Sequence, residues 1–315
     1  MPSSLKKSPD AKLEIIHEAI RRISEIVLGK TFQIKLSLAC LLAQGHLLIE
    51  DLPGMGKTTL IHALAKTVGL DYKRVQFTSD LLPADLLGAS IFDRHRNRFR
   101  FLPGPVFTQL LMADEINRAT PKTQSALLEA MGEHQVSIEG GTYRLPNPFF
   151  VVATQNPAQH VGVYPLPESQ LDRFLMQLSL GYPDPQSERR ILSGKSRASL
   201  LAKQTPILSP ALIFDVQKTT SALHISAALL DYIQAILKFS RQSGLYRYGL
   251  SPRAGLAILA SAKAWAFLAG RDHVLPEDIQ IILPAVINHR LIPKPETGIH
   301  HNEIAGKLLR NVAIP

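Results

Sequence analysis

The stretch His46-Leu-Leu-Ile-Glu-Asp-Leu-Pro-Gly-Met-Gly-Lys-Thr-Thr59 joins three signals that rarely coincide by chance. Leu47 to Ile49 is an apolar run of buried-strand length, a Gly-rich turn comes next, and from Thr58 to Val68 apolar residues recur at helical spacing. A loop between such a strand and helix directs backbone N–H groups at one point beside a helix N-terminus, where the dipole favours an anion. The candidate phosphate contacts are Pro53, Gly54, Met55, Gly56, Lys57, Thr58 and Thr59. Lys57 suits the β and γ phosphates, and the Thr58 hydroxyl suits Mg²⁺. The strict pattern G-x-x-x-x-G-K-[ST] asks for glycine where this chain has Asp51. Gly54 and Gly56 keep the close-approach positions, and aspartate is among the residues that tolerate left-handed backbone.

Outward from this loop, residues 46 to 180 alternate short apolar runs with helical stretches. The runs are His46 to Glu50, Leu110 to Glu115 and Phe149 to Thr154; the helical stretches are Thr58 to Val68 and Pro121 to Met131. That alternation predicts an α/β fold with a parallel sheet covered by helices. Ligands of such sheets bind at the carboxyl ends of strands, so the residues just past each run are the candidates for chemistry. After Leu110 to Ala113 come Asp114 and Glu115. A Mg²⁺ ion on β and γ phosphates needs a carboxylate, for which Asp114 is the candidate, and hydrolysis needs a second to orient and deprotonate water, for which Glu115 is the candidate. Two solvated acids at a strand end would read the same way without the loop. After Phe149 to Ala153 comes Thr154-Gln-Asn-Pro157, where Asn156 either reaches the attacking water or merely starts an Asn-Pro turn.

The segment Gly181-Tyr-Pro-Asp-Pro185 ends the alternation, and helical periodicity dominates afterwards, as in Ala227 to Phe239 and Pro252 to Leu268. The expected organisation is a polar tail over residues 1–10, a core over 11–182 opening with a helix from Ala11 to Val27, and a helical domain over 183–315. Two hairpins interrupt the core, one around Gly140-Gly141 and a less distinct one around Arg94 to Asn97. Two arginines stand out. Arg253, in Ser251-Pro252-Arg253, is a cation in the first turn of a helix, where it opposes the dipole; it is either a γ-phosphate contact supplied by the second domain or an ordinary surface arginine. Arg173, in Leu171-Asp-Arg-Phe174, is either paired with Asp172 or Glu168 or is an arginine finger offered to a neighbouring subunit.

Composition bounds the function classes. With 315 residues, 45% hydrophobic and 19% charged, the chain is globular rather than disordered. Its formal charge of +9 and pI of about 9.7 invite a phosphate-bearing or nucleic-acid partner. The lone Cys40 excludes an intrachain disulfide, the longest apolar run falls short of a membrane span, and charged residues stand where a signal peptide would be apolar, so a cytoplasmic protein is expected. His300-His301 is adjacent rather than at ligand spacing, and no Ser/His/Asp or Cys/His nucleophile arrangement stands out.

These motifs together resemble the MoxR group of AAA+ ATPases. The resemblance rests on Leu48 to Thr58, Gln76-Phe-Thr-Ser-Asp-Leu-Leu-Pro83, Ala113-Asp-Glu-Ile-Asn-Arg118 with Lys122 to Met131, Ala153-Thr-Gln-Asn-Pro157, Leu171 to Phe174 and Ser251 to Arg253. These lie in family order over nearly the whole chain. It implies a P-loop AAA+ αβα core followed by an all-helical lid, Mg²⁺ and ATP as cofactors, and a homo-oligomeric ring, usually a hexamer. In its terms Lys57 and Thr58 belong to Walker A, Asp114 and Glu115 form Walker B, Asn156 is sensor 1, Arg173 the finger and Arg253 sensor 2. It further implies a helix-2 insertion, expected at the Gly140-Gly141 hairpin, and a partner with a von Willebrand factor A domain in the remodelling or activation of a protein complex. ATP is then expected between core and lid, with Arg253 sensing the γ phosphate from the lid and the segment Ile26 to Gly29 a candidate for the adenine. The competing class is a nucleic-acid-dependent motor or loader, suggested by the net charge and by Arg94, Arg96, Arg98 and Arg100; a solvated hairpin explains that run as well, because no aromatic-basic module accompanies it. A nucleotide-gated scaffold without turnover is the third class, and Glu115 argues against it.

Overall fold

The computed structural model describes residues 8–94, 97–157, 162–194 and 196–314. The first helix, α1 (Pro9–Ile26), starts two residues before the expected Ala11. Ser8 Oγ accepts the Ala11 N–H at 3.3 Å, and proline at the helix start gives up only a donor that the first turn leaves unused. Of the expected tail, residues 1–7 lie outside the described residues. α2 (Thr31–Leu42) is buried around most of its circumference and holds Cys40, whose thiol pKa burial pushes up, so it is a packing residue and not a reactive one.

The central sheet forms from β1 (Leu47–Glu50), followed by α3 (Lys57–Val68), β2 (Tyr72–Gln76), a short α4 (Pro83–Leu87), and the ribbon β3 (Gly88–Asp93) and β4 (Arg98–Pro103). Then come β5 (Leu110–Asp114), α5 (Pro121–Glu133), the ribbon β6 (Gln135–Ile138) and β7 (Gly141–Arg144), β8 (Phe150–Gln155), α6 (Glu168–Leu171) and β9 (Met176–Leu178). The five sheet strands are all parallel, in the order β2-β5-β8-β1-β9. Alternate residues feed two cores, as a period of two requires. Leu47, Ile49, Leu110, Met112, Phe150 and Val152 face one side with α1, α2 and α3, whereas Leu48, Leu111, Ala113, Val151 and Ala153 face the other with α5. Both faces being covered explains why these runs read as continuous apolar segments.

The helix-2 insertion falls elsewhere than expected. The Gly140-Gly141 hairpin is β6–β7, which lies beyond the end of α5, where His134 adopts φ 52°, on the way to β8. The insertion between β2 and β5 is the β3–β4 ribbon directly behind α4. Gly88 makes that junction possible: its φ is +98°, and a Cβ there would lie 2.2 Å from the Leu102 carbonyl oxygen. On this ribbon Arg98 faces Asp93 and Arg100 faces Ile91, with Phe92 and Phe99 in edge-to-face contact; Arg96 lies outside the described residues.

After Leu178 only isolated bridges interrupt the helices among the described residues. These are α7 (Pro185–Ser193), α8 (Arg197–Lys203), α9 (Pro210–Ser221), α10 (Ala227–Gln242), α11 (Pro252–Leu268), α12 (Pro276–Ile287) and α13 (Ile304–Asn311). The apolar faces of α9 to α13 merge with those of α1 and α2 into one continuous core, so the helical lid is seated on the helical layer of the sheet rather than separated from it. None of the helices among the described residues is long and apolar enough to cross a membrane.

Candidate active site

The parallel register brings the carboxyl ends of β1, β5 and β8 side by side, with Glu50 beside Gln155 and Ala113 beside Ala153. The segments that leave these strands therefore meet above the sheet. Over β1 the loop turns through Gly54 (φ +83°) and Gly56 (φ +88°), and a Cβ on either would meet nothing within 4 Å. The glycines serve backbone conformation while leaving open space over the loop, as a phosphate cradle demands. Lys57 opens α3, and its ammonium donates to the Asp51 carbonyl at 2.5 Å, the Leu52 carbonyl at 3.3 Å and Asn156 Oδ1 at 3.2 Å. Burial lowers the pKa of Lys57, opposed by the charges of Asp51, Asp114, Glu115 and Glu50. Thr58 is exposed in the first turn of α3, where its hydroxyl is available to a cation.

Asn156 is more than a turn residue. Its amide nitrogen donates to Glu115 Oε1 at 3.1 Å while its oxygen accepts a hydrogen bond from the Lys57 ammonium, so one side chain links loop cation and acid. Glu115 sits in left-handed backbone, φ 55°, which swings its carboxylate out of the strand direction; its N–H is held by Thr154 Oγ1 at 2.9 Å. The other carboxylate oxygen, Oε2, accepts from Gln76 Nε2 at 2.9 Å and from Arg118 Nη1 at 3.1 Å. Asp114 is held by Thr154 Oγ1 at 2.5 Å on one oxygen and by Arg74 at 2.6 Å on the other. The buried Asp114 carboxylate and the exposed Thr58 hydroxyl are the oxygens that could hold a Mg²⁺ ion. The partners Gln76, Arg74, Thr154 and Arg118 escape the sequence reading. Gln76 lies opposite Asp114 in the register, a pairing that no local pattern reports.

Asp51 is also not what the motif suggests. It is absent from the residues with positive φ, so left-handed tolerance is not its reason for being there. Its buried carboxylate instead reaches the segment beyond β9, accepting from Leu180 N and Gly181 N, each at 2.7 Å, and from Ser179 Oγ at 3.2 Å.

Arg173 and Arg253 lie together, but away from the loop. Both line a cavity of about 260 Å³ with His46, Gly132 and His134, at the amino end of β1, whereas the phosphate loop is at its carboxyl end. Arg253 is thus not over the loop of its own subunit, where it was expected. Arg173 crosses α5, donating to the Leu128 carbonyl at 2.7 Å, and Gly132 leaves the room for it. Asp172 pairs with Arg290 at 2.7 Å and accepts from the cap residue Ser251 at 3.3 Å. The Asp172 carboxylate thus lies at the cap of α11 and is ion-paired with Arg290 rather than with Arg253 or Arg173.

Comparison with known proteins agrees with this arrangement. Residues 46–176 match the family described as "ATPase family associated with various cellular activities (AAA)", and residues 238–305 match the AAA lid domain. The chain is 42% identical to the uncharacterized protein YeaC of Bacillus subtilis over 96% of its own length and 95% of that protein. It is 39% identical to chaperone MoxR1 of Mycobacterium tuberculosis, over 97% of this chain and 84% of that one, and 33% identical to protein MoxR of Paracoccus denitrificans, over 88% of each. A crystal structure from Cytophaga hutchinsonii, described as that of a candidate ATPase, superposes with a TM-score of 0.87 at 38% identity, covering 98% of this chain and 97% of that one. Sheet, loop, acidic pair, lid and kinship converge, and the chain belongs to the AAA ATPases, in their MoxR group.

Proposed function

We propose that the protein is a Mg²⁺-dependent ATPase that works as a homo-oligomeric ring, with a hexamer as the expected size, and uses hydrolysis for chaperone-like remodelling of a protein complex. The observation that carries this reading is the chain of contacts from Lys57 through Asn156 to Glu115 beneath an open glycine loop. ATP binding draws the Lys57 ammonium from the Asp51 and Leu52 carbonyls onto the γ phosphate. Thr58 and Asp114 would hold Mg²⁺, which when bound would supply charge neutralisation for the transferring phosphate. Glu115 then orients a water and accepts its proton, the water oxygen bonds to the γ phosphorus, and the bond to the bridging oxygen breaks with its electrons leaving on ADP.

The two arginines on the far side of β1 support an arrangement in which each serves the nucleotide of a neighbouring subunit. Arg253 then belongs with Arg173 in that role, rather than over its own loop. The identity to chaperone MoxR1 supports a protein client, and a partner with a von Willebrand factor A domain is in keeping with the family. The test is ATP hydrolysis against protein concentration, for the wild type and Arg173→Ala, beside a sizing measurement. Specific activity that rises with assembly, together with an Arg173→Ala protein that binds ATP but does not turn over, is the expected result. A fully active monomer would end the ring reading.

A further inference from the structure

Asp51 stands where the strict phosphate-loop pattern has a glycine, and its contacts run in two directions. Its main chain belongs to the loop: the carbonyl accepts from the Lys57 ammonium at 2.5 Å, and the N–H bonds to the carbonyl of Gln155, next to Asn156, at 3.3 Å. Its carboxylate belongs to the linker. One oxygen holds Leu52 N at 2.9 Å, and the other takes Leu180 N, Gly181 N and Ser179 Oγ. Gly181, with φ +60°, begins the segment that leads to Asp184, the cap of α7 and the beginning of the helical part. Bonds from backbone N–H to a buried carboxylate are charge-assisted and short, so this tether is among the stiffer links that a side chain can make.

We infer that Asp51 is a positioning residue that carries the nucleotide state of the phosphate loop to the Ser179–Gly181 linker, and through it to the helical lid. The inference rests on the ATP-driven reading above. When the γ phosphate draws Lys57 away from the Asp51 carbonyl, the peptide that bears this carbonyl is released to turn, and the carboxylate of the same residue shifts its hold on Leu180 and Gly181. A glycine at this position would bind phosphate through the same backbone and would leave the linker untethered. The side chain is therefore an addition to the motif and not a defect in it.

The test is hydrogen exchange on the full-length protein, with and without Mg²⁺ and a non-hydrolysable ATP analogue, for the wild type, Asp51→Gly and Asp51→Asn. Asp51→Gly restores the strict pattern, so the motif alone predicts no loss. In the wild type the analogue is expected to slow exchange in residues 52–60 and to change it in residues 179–184. In Asp51→Gly the loop response is expected to persist while most of the linker response is lost. Asp51→Asn, with one acceptor oxygen and no charge for the same donors, is expected to respond less than the wild type, and it serves the same purpose if the glycine variant does not fold. A merely structural role would speed linker exchange equally with and without nucleotide and leave the difference between the two states intact. A linker that responds as in the wild type, in whichever variant folds, overturns the inference. A wild-type loop that does not respond at all overturns the ATP-driven reading instead.

Discussion

Mixing pairs of inactive variants tests where both arginines act. From His46, beside the arginine cavity, to Asp51, where the loop begins, the chain advances five residues along β1, about 16 Å at about 3.3 Å each. A side chain anchored beside His46 does not span that distance and the loop beyond it. The proposed shared site would therefore take Lys57 from one subunit and Arg173 and Arg253 from the next. Loss of an arginine that stabilises the transferred phosphoryl group costs about 10³-fold or more, so each single variant is effectively silent. In a randomly assembled equimolar mixture of Lys57→Ala with Arg173→Ala, a site is competent when its loop comes from the arginine variant and its arginine from the lysine variant. That happens at half times half of the interfaces, and about a quarter of wild-type activity per subunit returns, whatever the ring size. The same recovery is expected for Lys57→Ala with Arg253→Ala. Were Arg253 to act on the nucleotide of its own subunit, no subunit of that second mixture would hold both groups and nothing would return. The assay is steady-state phosphate release after the variants are combined at dilution and then concentrated. Recovery in the Arg173 mixture alone refutes the placement of Arg253, and silence in both mixtures, with co-assembly verified, refutes the shared site.

Glu115→Gln removes the proton acceptor and preserves the shape that Gln76 and Asn156 hold, so turnover is expected to fall by about 10² to 10⁴-fold with ATP still bound, as checked by single-turnover kinetics and nucleotide retention; undiminished hydrolysis would remove Glu115 from the chemistry. Arg74 holds one oxygen of Asp114, the carboxylate proposed for Mg²⁺, and since its side chain is 48% exposed the pair is a weak one. Arg74→Gln is expected to lower the Mg²⁺ concentration for half-maximal ATPase by about two- to fivefold, and an unchanged titration would show that the two cations do not compete. Burial lowers the pKa of His46 from 6.5 to about 4, so its neutral ring, which accepts the Val151 N–H at 3.0 Å, stabilises the fold fully above the ordinary histidine pKa. As pH falls from 6.5 towards 4 the unfolded chain takes up the proton first, and up to about 3 kcal/mol of stability is lost. His289 is pushed in the same direction, so the measurement is the difference in urea stability between the wild type and His46→Gln across that window; parallel pH profiles would refute the assignment to His46.

The parts of the site that could be read from the sequence share one physical property. Each lies at the carboxyl end of a strand that is apolar on both faces, or in the segment that leaves it. Leu47 to Ile49, Leu110 to Ala113 and Phe149 to Ala153 are recognisable as buried parallel strands, and parallel strands start together and end together, so Lys57, Asp114, Glu115 and Asn156 had to meet. Gln76 ends a strand too, but β2 is the edge of the sheet and half-exposed, and Tyr72-Lys-Arg-Val-Gln76 lacks the apolar signature that marks its neighbours.

Arg253 shows the other limit. Ser251-Pro252-Arg253 announces a helix start by capping chemistry, which is local, whereas the position of that start depends on what α11 packs against, which is not. Here the neighbours are α1, α2, α9, α10 and α12, with Asp172 at the cap, and they set Arg253 beside Arg173. Asp172 has a definite part in this. It ties Ser251 of the lid and the largely buried Arg290 behind α12 to the segment that bears Arg173, so the two arginines are registered to one another through the acid between them. A lid joined to the core by such a clamp on one side and by Asp51 through the linker on the other meets the phosphate loop and the segment that bears Arg173 at separate points. Nucleotide state at one end of β1 and arginine placement at the other then become two ends of one connected frame.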